Sequence, residues 1–187
     1  MLEKEYLNSA SQLIADKYEE ASLKLDQGKF NKAEKMLEKI LEMDSEFVPA
    51  YNKLAVIYLN RDEIEEARKN LATALNIDSQ YPPALTNYGS LEKLAGNFAE
   101  AKEYYQAAID RNSEYGPAYN NMAVILREEG KYKDSVSYLK KARKHGTLSF
   151  DVDKKKSLLQ EPGCLIPIII SGVMIFLLLY WFLISIN

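Results

Sequence analysis

The stretch PPALTNYGSLEKLAGNFAEAKEYYQAAIDRNSEY, residues 82–115, decides the reading of the chain. It opens on Pro82-Pro83-Ala84, carries Gly89 in its first half, turns at Gly96 and continues through Ala101 and Ala108. Shifted back by 34 residues, the skeleton returns as Pro49-Ala50, Ala55, Asp62, Ala67 and Ala74. Shifted forward, it returns as Pro117-Ala118, Ala123, Gly130, Ser135 and Ala142. A fixed period of this length means one supersecondary unit stacked on copies of itself, so it takes precedence over every local pattern.

The joint between units repeats as Asp44-Ser45-Glu46-Phe47-Val48-Pro49-Ala50, Asp78-Ser79-Gln80-Tyr81-Pro82-Pro83-Ala84 and Asn112-Ser113-Glu114-Tyr115-Gly116-Pro117-Ala118. Asp or Asn followed by Ser halts a helix by bonding its side chain to nearby backbone. The aromatic residue is expected to seal the gap between units. Proline at the first helical position loses no hydrogen bond, since that N–H has no partner in any case.

Helix pairs follow between the joints. Pro49 to about Asn60 pairs with Ile64–Ile77, Pro83–Ala95 with Phe98–Arg111, and Pro117–Glu129 with Tyr132–His145. Small residues face one another within each pair: Ala55 with Ala67, Gly89 with Ala101, Ala123 with Ser135. Upstream, residues 2–27 read as one helix with an apolar face and Gly28 closing it, followed by a helix over about Phe30–Met43.

These residues resemble the tetratricopeptide repeat, a helix-turn-helix unit of the same length. Ala55-Asp62-Ile64-Ala67-Leu71-Ala74, Gly89-Gly96-Phe98-Ala101-Tyr105-Ala108 and Ala123-Gly130-Tyr132-Ser135-Leu139-Ala142 carry the likeness. A weaker first unit has Ala21, Gly28, Phe30, Ala33 and Leu37 in place, with Lys17 and Glu20 where apolar residues are usual. Asp62 stands where the turn usually has glycine. The resemblance implies an all-α fold, a right-handed α-solenoid of about four helix pairs. Its expected divisions are an N-terminal extension over 1–13 and an array over 14–147, in units 14–47, 48–81, 82–115 and 116–147. A capping helix and linker follow over 148–163, and a membrane anchor over 164–187.

The anchor reading comes from charge. All charged residues lie at or before Glu161, so the last 26 residues have none. Leu165–Ile186 is 22 residues of largely Ile, Leu, Val and Phe. A helix of that length reaches about 33 Å, enough for a hydrocarbon core of about 30 Å. Pro167 falls in its first turn; Tyr180 and Trp181 fall near its far end, as interfacial residues do. Ser171 and Gly172 are small enough for close helix approach. Lys140, Lys141, Arg143, Lys144 and Lys154–Lys156 all precede the segment, which places the repeats on the cytoplasmic side of a bacterial inner membrane or a eukaryotic organelle membrane. The chain thus resembles a tail-anchored repeat protein.

Composition narrows function by exclusion. The net charge of -3 supplies no basic stripe for nucleic acid. Single Cys164 and His145 form no zinc pattern, and neither a phosphate loop nor a nucleophile–base motif occurs. No enzyme activity and no cofactor are expected, and Glu65-Glu66 and Glu128-Glu129 read as solvated faces. The expected site is the inner wall of the array. The resemblance assigns to it Tyr18, Asn52, Thr86 and Asn120; Lys53, Asn87 and Asn121; and Ser22, Val56, Ser90 and Val124. An amide both donates and accepts, so the Asn row matches a peptide backbone. The lysines and arginine that grip chaperone C-terminal tails are absent, so such tails are not expected partners. The expected function is a scaffold that binds a partner protein or peptide in this groove and holds it at a membrane. The alternative is an accessory subunit or assembly factor of a membrane complex.

Overall fold

A computed structural model describes residues 12–146. Among them are eight helices and no strand: α1 Gln12–Asp26, α2 Phe30–Met43, α3 Val48–Asn60, α4 Ile64–Ile77, α5 Pro82–Leu94, α6 Phe98–Arg111, α7 Gly116–Glu128 and α8 Tyr132–Lys144. Residues 1–11, the expected capping helix, and the expected anchor with Pro167, Ser171, Gly172, Tyr180 and Trp181 lie outside the described residues. Within them, no helix is long and apolar enough to cross a membrane.

The helices pack as four antiparallel pairs, and each second helix then meets the first helix of the next pair. First helices also touch across pairs, α1 with α3, α3 with α5 and α5 with α7, whereas second helices do not touch one another. Closer spacing on one side curves a stack toward that side. The first helices therefore line the inner wall.

Small residues set the separation inside each pair. Ala21, Ala33, Ala55, Ala67 and Ala101 are fully buried. Gly89 lies so close to α6 that an added Cβ would sit 3.0 Å from the Ala101 carbonyl oxygen and 2.7 Å from the Tyr105 ring. In the last pair, the Ser135 hydroxyl donates to the Ala123 carbonyl oxygen at 2.8 Å, so a hydroxyl replaces a methyl group without leaving a buried polar atom unsatisfied.

The joints work through Asp and Asn, and the serines take no such part. Asp44 Oδ1 accepts the Glu46 N–H at 3.0 Å, Asp78 Oδ1 that of Gln80 at 2.9 Å, and Asn112 Oδ1 that of Glu114 at 3.0 Å. Ser45, Ser79 and Ser113 are exposed. Phe47 and Tyr81 are buried between pairs, and Phe47 meets Tyr18 edge to face at 5.3 Å. The helices begin one residue before the expected start, so Pro49 and Pro117 occupy the second helical position. The N–H missing there also lacks an intrahelical partner, so the change costs nothing.

Asp62 adopts φ 60°, where the other three within-pair turns use Gly28, Gly96 and Gly130. A side chain in the left-handed region costs roughly 1 kcal/mol. Asp62→Gly is therefore expected to stabilise the array by ~0.5–1 kcal/mol, read as a rise in the urea midpoint at constant slope.

Candidate functional site

The inner wall is built on α1, α3, α5 and α7, and polar bonds stitch its rungs together. Asn87 Nδ2 donates to Asn52 Oδ1 at 2.8 Å, joining α5 to α3. Asn121 Nδ2 donates to Ser90 Oγ at 3.2 Å, joining α7 to α5. Ser90 Oγ donates onward to the Thr86 carbonyl oxygen at 3.0 Å and lies 3.3 Å from the Tyr105 hydroxyl. Burial raises the Tyr105 pKa, so its hydroxyl keeps its proton at neutral pH and can donate.

The expected residues divide into two sets. Tyr18, Asn52 and Thr86 are buried, so they form the floor of the wall and not its open surface. Their register position points between neighbouring pairs, where Tyr18 packs on Phe47 and Asn52 holds Asn87. Ser22, Lys53, Val56, Asn87, Ser90, Asn120, Asn121 and Val124 are half-buried and reach the wall. Two hydroxyl oxygens, Ser22 Oγ on the wall and Thr86 Oγ1 in the floor, are buried without a hydrogen-bond partner. A buried hydroxyl without a partner costs about 1–3 kcal/mol. Asn87 and Asn121 each commit one amide hydrogen to the neighbouring rung, and an amide has further donor and acceptor capacity.

Behind the wall runs a set of charge pairs that the repeat pattern did not reveal. Arg61 meets Glu34 at 2.7 Å between α3 and α2. Arg68 meets Glu92 at 2.6 Å between α4 and α5, and Lys102 pairs with Glu129 between α6 and α7. Glu129 also binds Lys131; it lies on an exposed face, as expected, and pairs with both lysines there. The Arg68 guanidinium holds the Glu92 carboxyl below the usual carboxylate range, with the Asn97 amide adding to the effect. Arg68 also lies over the Tyr88 ring at 5.4 Å. The signal in the sequence was that Glu34, Arg68 and Lys102 occupy one register, always charged but with changing sign. Among the described residues, no group of three or more His, Cys, Asp or Glu is placed to hold a metal ion.

Residues 24–87 and 94–147 each match a family described as Tetratricopeptide repeat, and together they span more than half of the chain. No curated protein matches it. Solved structures similar to it include that of MamA, at 23% identity over 82% of this chain and 86% of that one, with a TM-score of 0.56. A thermophilic TPR protein of Thermus thermophilus is similar at 18% identity over 82% of this chain and 85% of that one, TM-score 0.65. The structure of Naa15/Naa10 bound to HypK-THB is similar at 22% identity over 67% of this chain and 19% of that one, TM-score 0.58. At these identities the likenesses show the fold.

Proposed function

We propose, starting from a chain that belongs to the tetratricopeptide-repeat family, that it is a non-enzymatic adaptor whose inner wall takes an extended segment of another protein. Proteins of this family generally mediate protein–protein interactions. The observation that carries the finer reading is the row of half-buried amides and hydroxyls on α5 and α7. An extended backbone brings both donors and acceptors to such a row. The wall is held in place by bonds between rungs before any partner arrives, so little ordering entropy is lost on binding.

In this reading the uncharged segment 165–186 holds the adaptor at a membrane, with the repeats on the side of the basic residues that precede it. Confinement at a surface raises the effective concentration of whatever the wall holds. The divisions 1–13, 14–147, 148–163 and 164–187 follow the same reading.

A photo-crosslinking residue tests it. Placed at Asn87 or Asn121 in the full chain, it is expected to trap a partner polypeptide; placed at exposed Lys69 or Glu103 on the second helices, it is expected to trap none. Equal yields from both faces would overturn the groove reading.

A further inference from the structure

Among the second helices, one is charged unlike the rest. α2 carries three cations and three anions, α4 two of each, and α6 two cations against three anions. α8 carries Lys133, Lys140, Lys141, Arg143 and Lys144 against Asp134 alone. All five cations are exposed, and none forms a salt bridge among the described residues. Lys141 is held over the Tyr119 and Tyr138 rings, at 5.5 and 5.4 Å. A helix end favours cations in its last turn, which accounts for part of the pattern. It does not account for Lys133, which stands in the first turn, where a cation is disfavoured.

At roughly 100° per residue, Lys133, Lys140 and Lys144 fall within about 40° of one another, opposite the buried Ser135 and Ala142. The same registers hold Asn31, Glu38 and Glu42 on α2, and Ala99, Gln106 and Asp110 on α6. Those six are neutral or acidic, and all stay exposed although a further pair follows each. This face therefore lies off the joint between pairs, and an element packed after α8 as α3 follows α2 would leave it open.

We propose that this face of α8 rests on a surface of anionic phospholipid, which orients the array and turns its inner wall away from the bilayer. The proposal rests on the reading that the segment 165–186 holds the chain at a membrane. Opposite charge draws a basic helix face to anionic headgroups. The attraction fades beyond about 8 Å at physiological ionic strength, so a few cations alone capture little from solution. The tether changes that. Residues 145–164 span at most about 70 Å when fully extended, so an anchored chain keeps α8 close to the headgroups. Lys154–Lys156 fall within that stretch and add to the same charge. A nucleic acid fits less well, because it would also meet a chain of net charge -3.

The test uses the full chain in vesicles, with Cys164→Ser and a fluorophore on Ser137→Cys, an exposed position within the basic face. A matched probe on Lys69→Cys occupies the same register of α4 and is also exposed. One set of vesicles is phosphatidylcholine; the other is equal parts of phosphatidylcholine and phosphatidylglycerol; both carry a headgroup-linked quencher. The Ser137 probe is expected to be quenched in the anionic vesicles and released at high salt, while the Lys69 probe responds alike in both. Lys133→Gln with Lys140→Gln and Lys144→Gln is expected to weaken docking at least roughly tenfold. All three positions are exposed, so helix content by circular dichroism should not change. A Ser137 probe that responds alike in both vesicles, or a triple variant that docks like the wild type, overturns the proposal. If the chain still floats with phosphatidylcholine vesicles in those samples, the membrane reading stands without it; a chain that floats with neither vesicle overturns both. An RNA oligonucleotide that shifts the Ser137 probe as strongly as anionic vesicles at equal phosphate overturns the choice of lipid.

Discussion

Gly89→Ala is expected to destabilise the array by ~2 kcal/mol, although alanine is the better helix former by about 1 kcal/mol. The new methyl group meets the Ala101 carbonyl oxygen at 3.0 Å and the Tyr105 ring at 2.7 Å. The carbonyl belongs to a helix backbone and the ring is fully buried, so neither has room to retreat. The register explains why this position differs. Where this pair has Gly89 against Tyr105, the others have Ala21 with Leu37, Ala55 with Leu71 and Ala123 with Leu139. A smaller residue on the first helix offsets a larger one on the second. Tyr105→Leu alone is expected to cost about 2–3 kcal/mol through the space it leaves and the lost contact with Ser90. The double variant Gly89→Ala with Tyr105→Leu recreates the pairing of the other units, so it should be more stable than either single variant. Urea unfolding of all four proteins closes the cycle, and costs that simply add would show that the two positions do not share one volume.

Glu92→Ala is expected to cost about 2–3 kcal/mol. Breaking a buried ion pair typically costs 3–5 kcal/mol, and the lower figure applies here because the Arg68 side chain is 32% exposed and keeps some water. The loss combines three effects: Arg68 is left without its counter-ion between two repeats, Asn97 loses its acceptor, and α5 loses its register on α4. The pair also predicts a pH effect. The folded pKa of Glu92 lies below its unfolded value. The carboxylate therefore contributes stability above the unfolded pKa, and that contribution disappears as the pH falls through the folded one. Acid titration of the wild type should show a loss of stability across this window that Glu92→Gln does not share. An identical acid profile for both proteins would show that the pair adds nothing to folding.

The sequence made the repeat visible because packing a stack depends on which small residues recur, and Ala and Gly at fixed spacing can be read in one dimension. The turns were legible for the same reason, as positive φ selects Gly28, Gly96 and Gly130 and tolerates Asp62. The inner wall was only partly legible. Tyr18, Asn52 and Thr86 share a register with Asn120, yet Asn120 is half-buried while the other three are buried, because coverage depends on the neighbouring pair and not on the register alone. The charge pairs were hidden because they join residues 24 or 27 positions apart, and their polarity at the first joint is the reverse of that at the other two.

The first helices of neighbouring pairs touch, while the second helices do not. A stack in which only one kind of helix meets its own kind has the mechanics of a fan. Its inner ribs are tied directly to one another by the amide bonds from Asn87 to Asn52 and from Asn121 to Ser90, whereas its outer blades are tied to the next rib and not to the next blade. A segment laid across several ribs would act as a strap and stiffen the fan along its whole length.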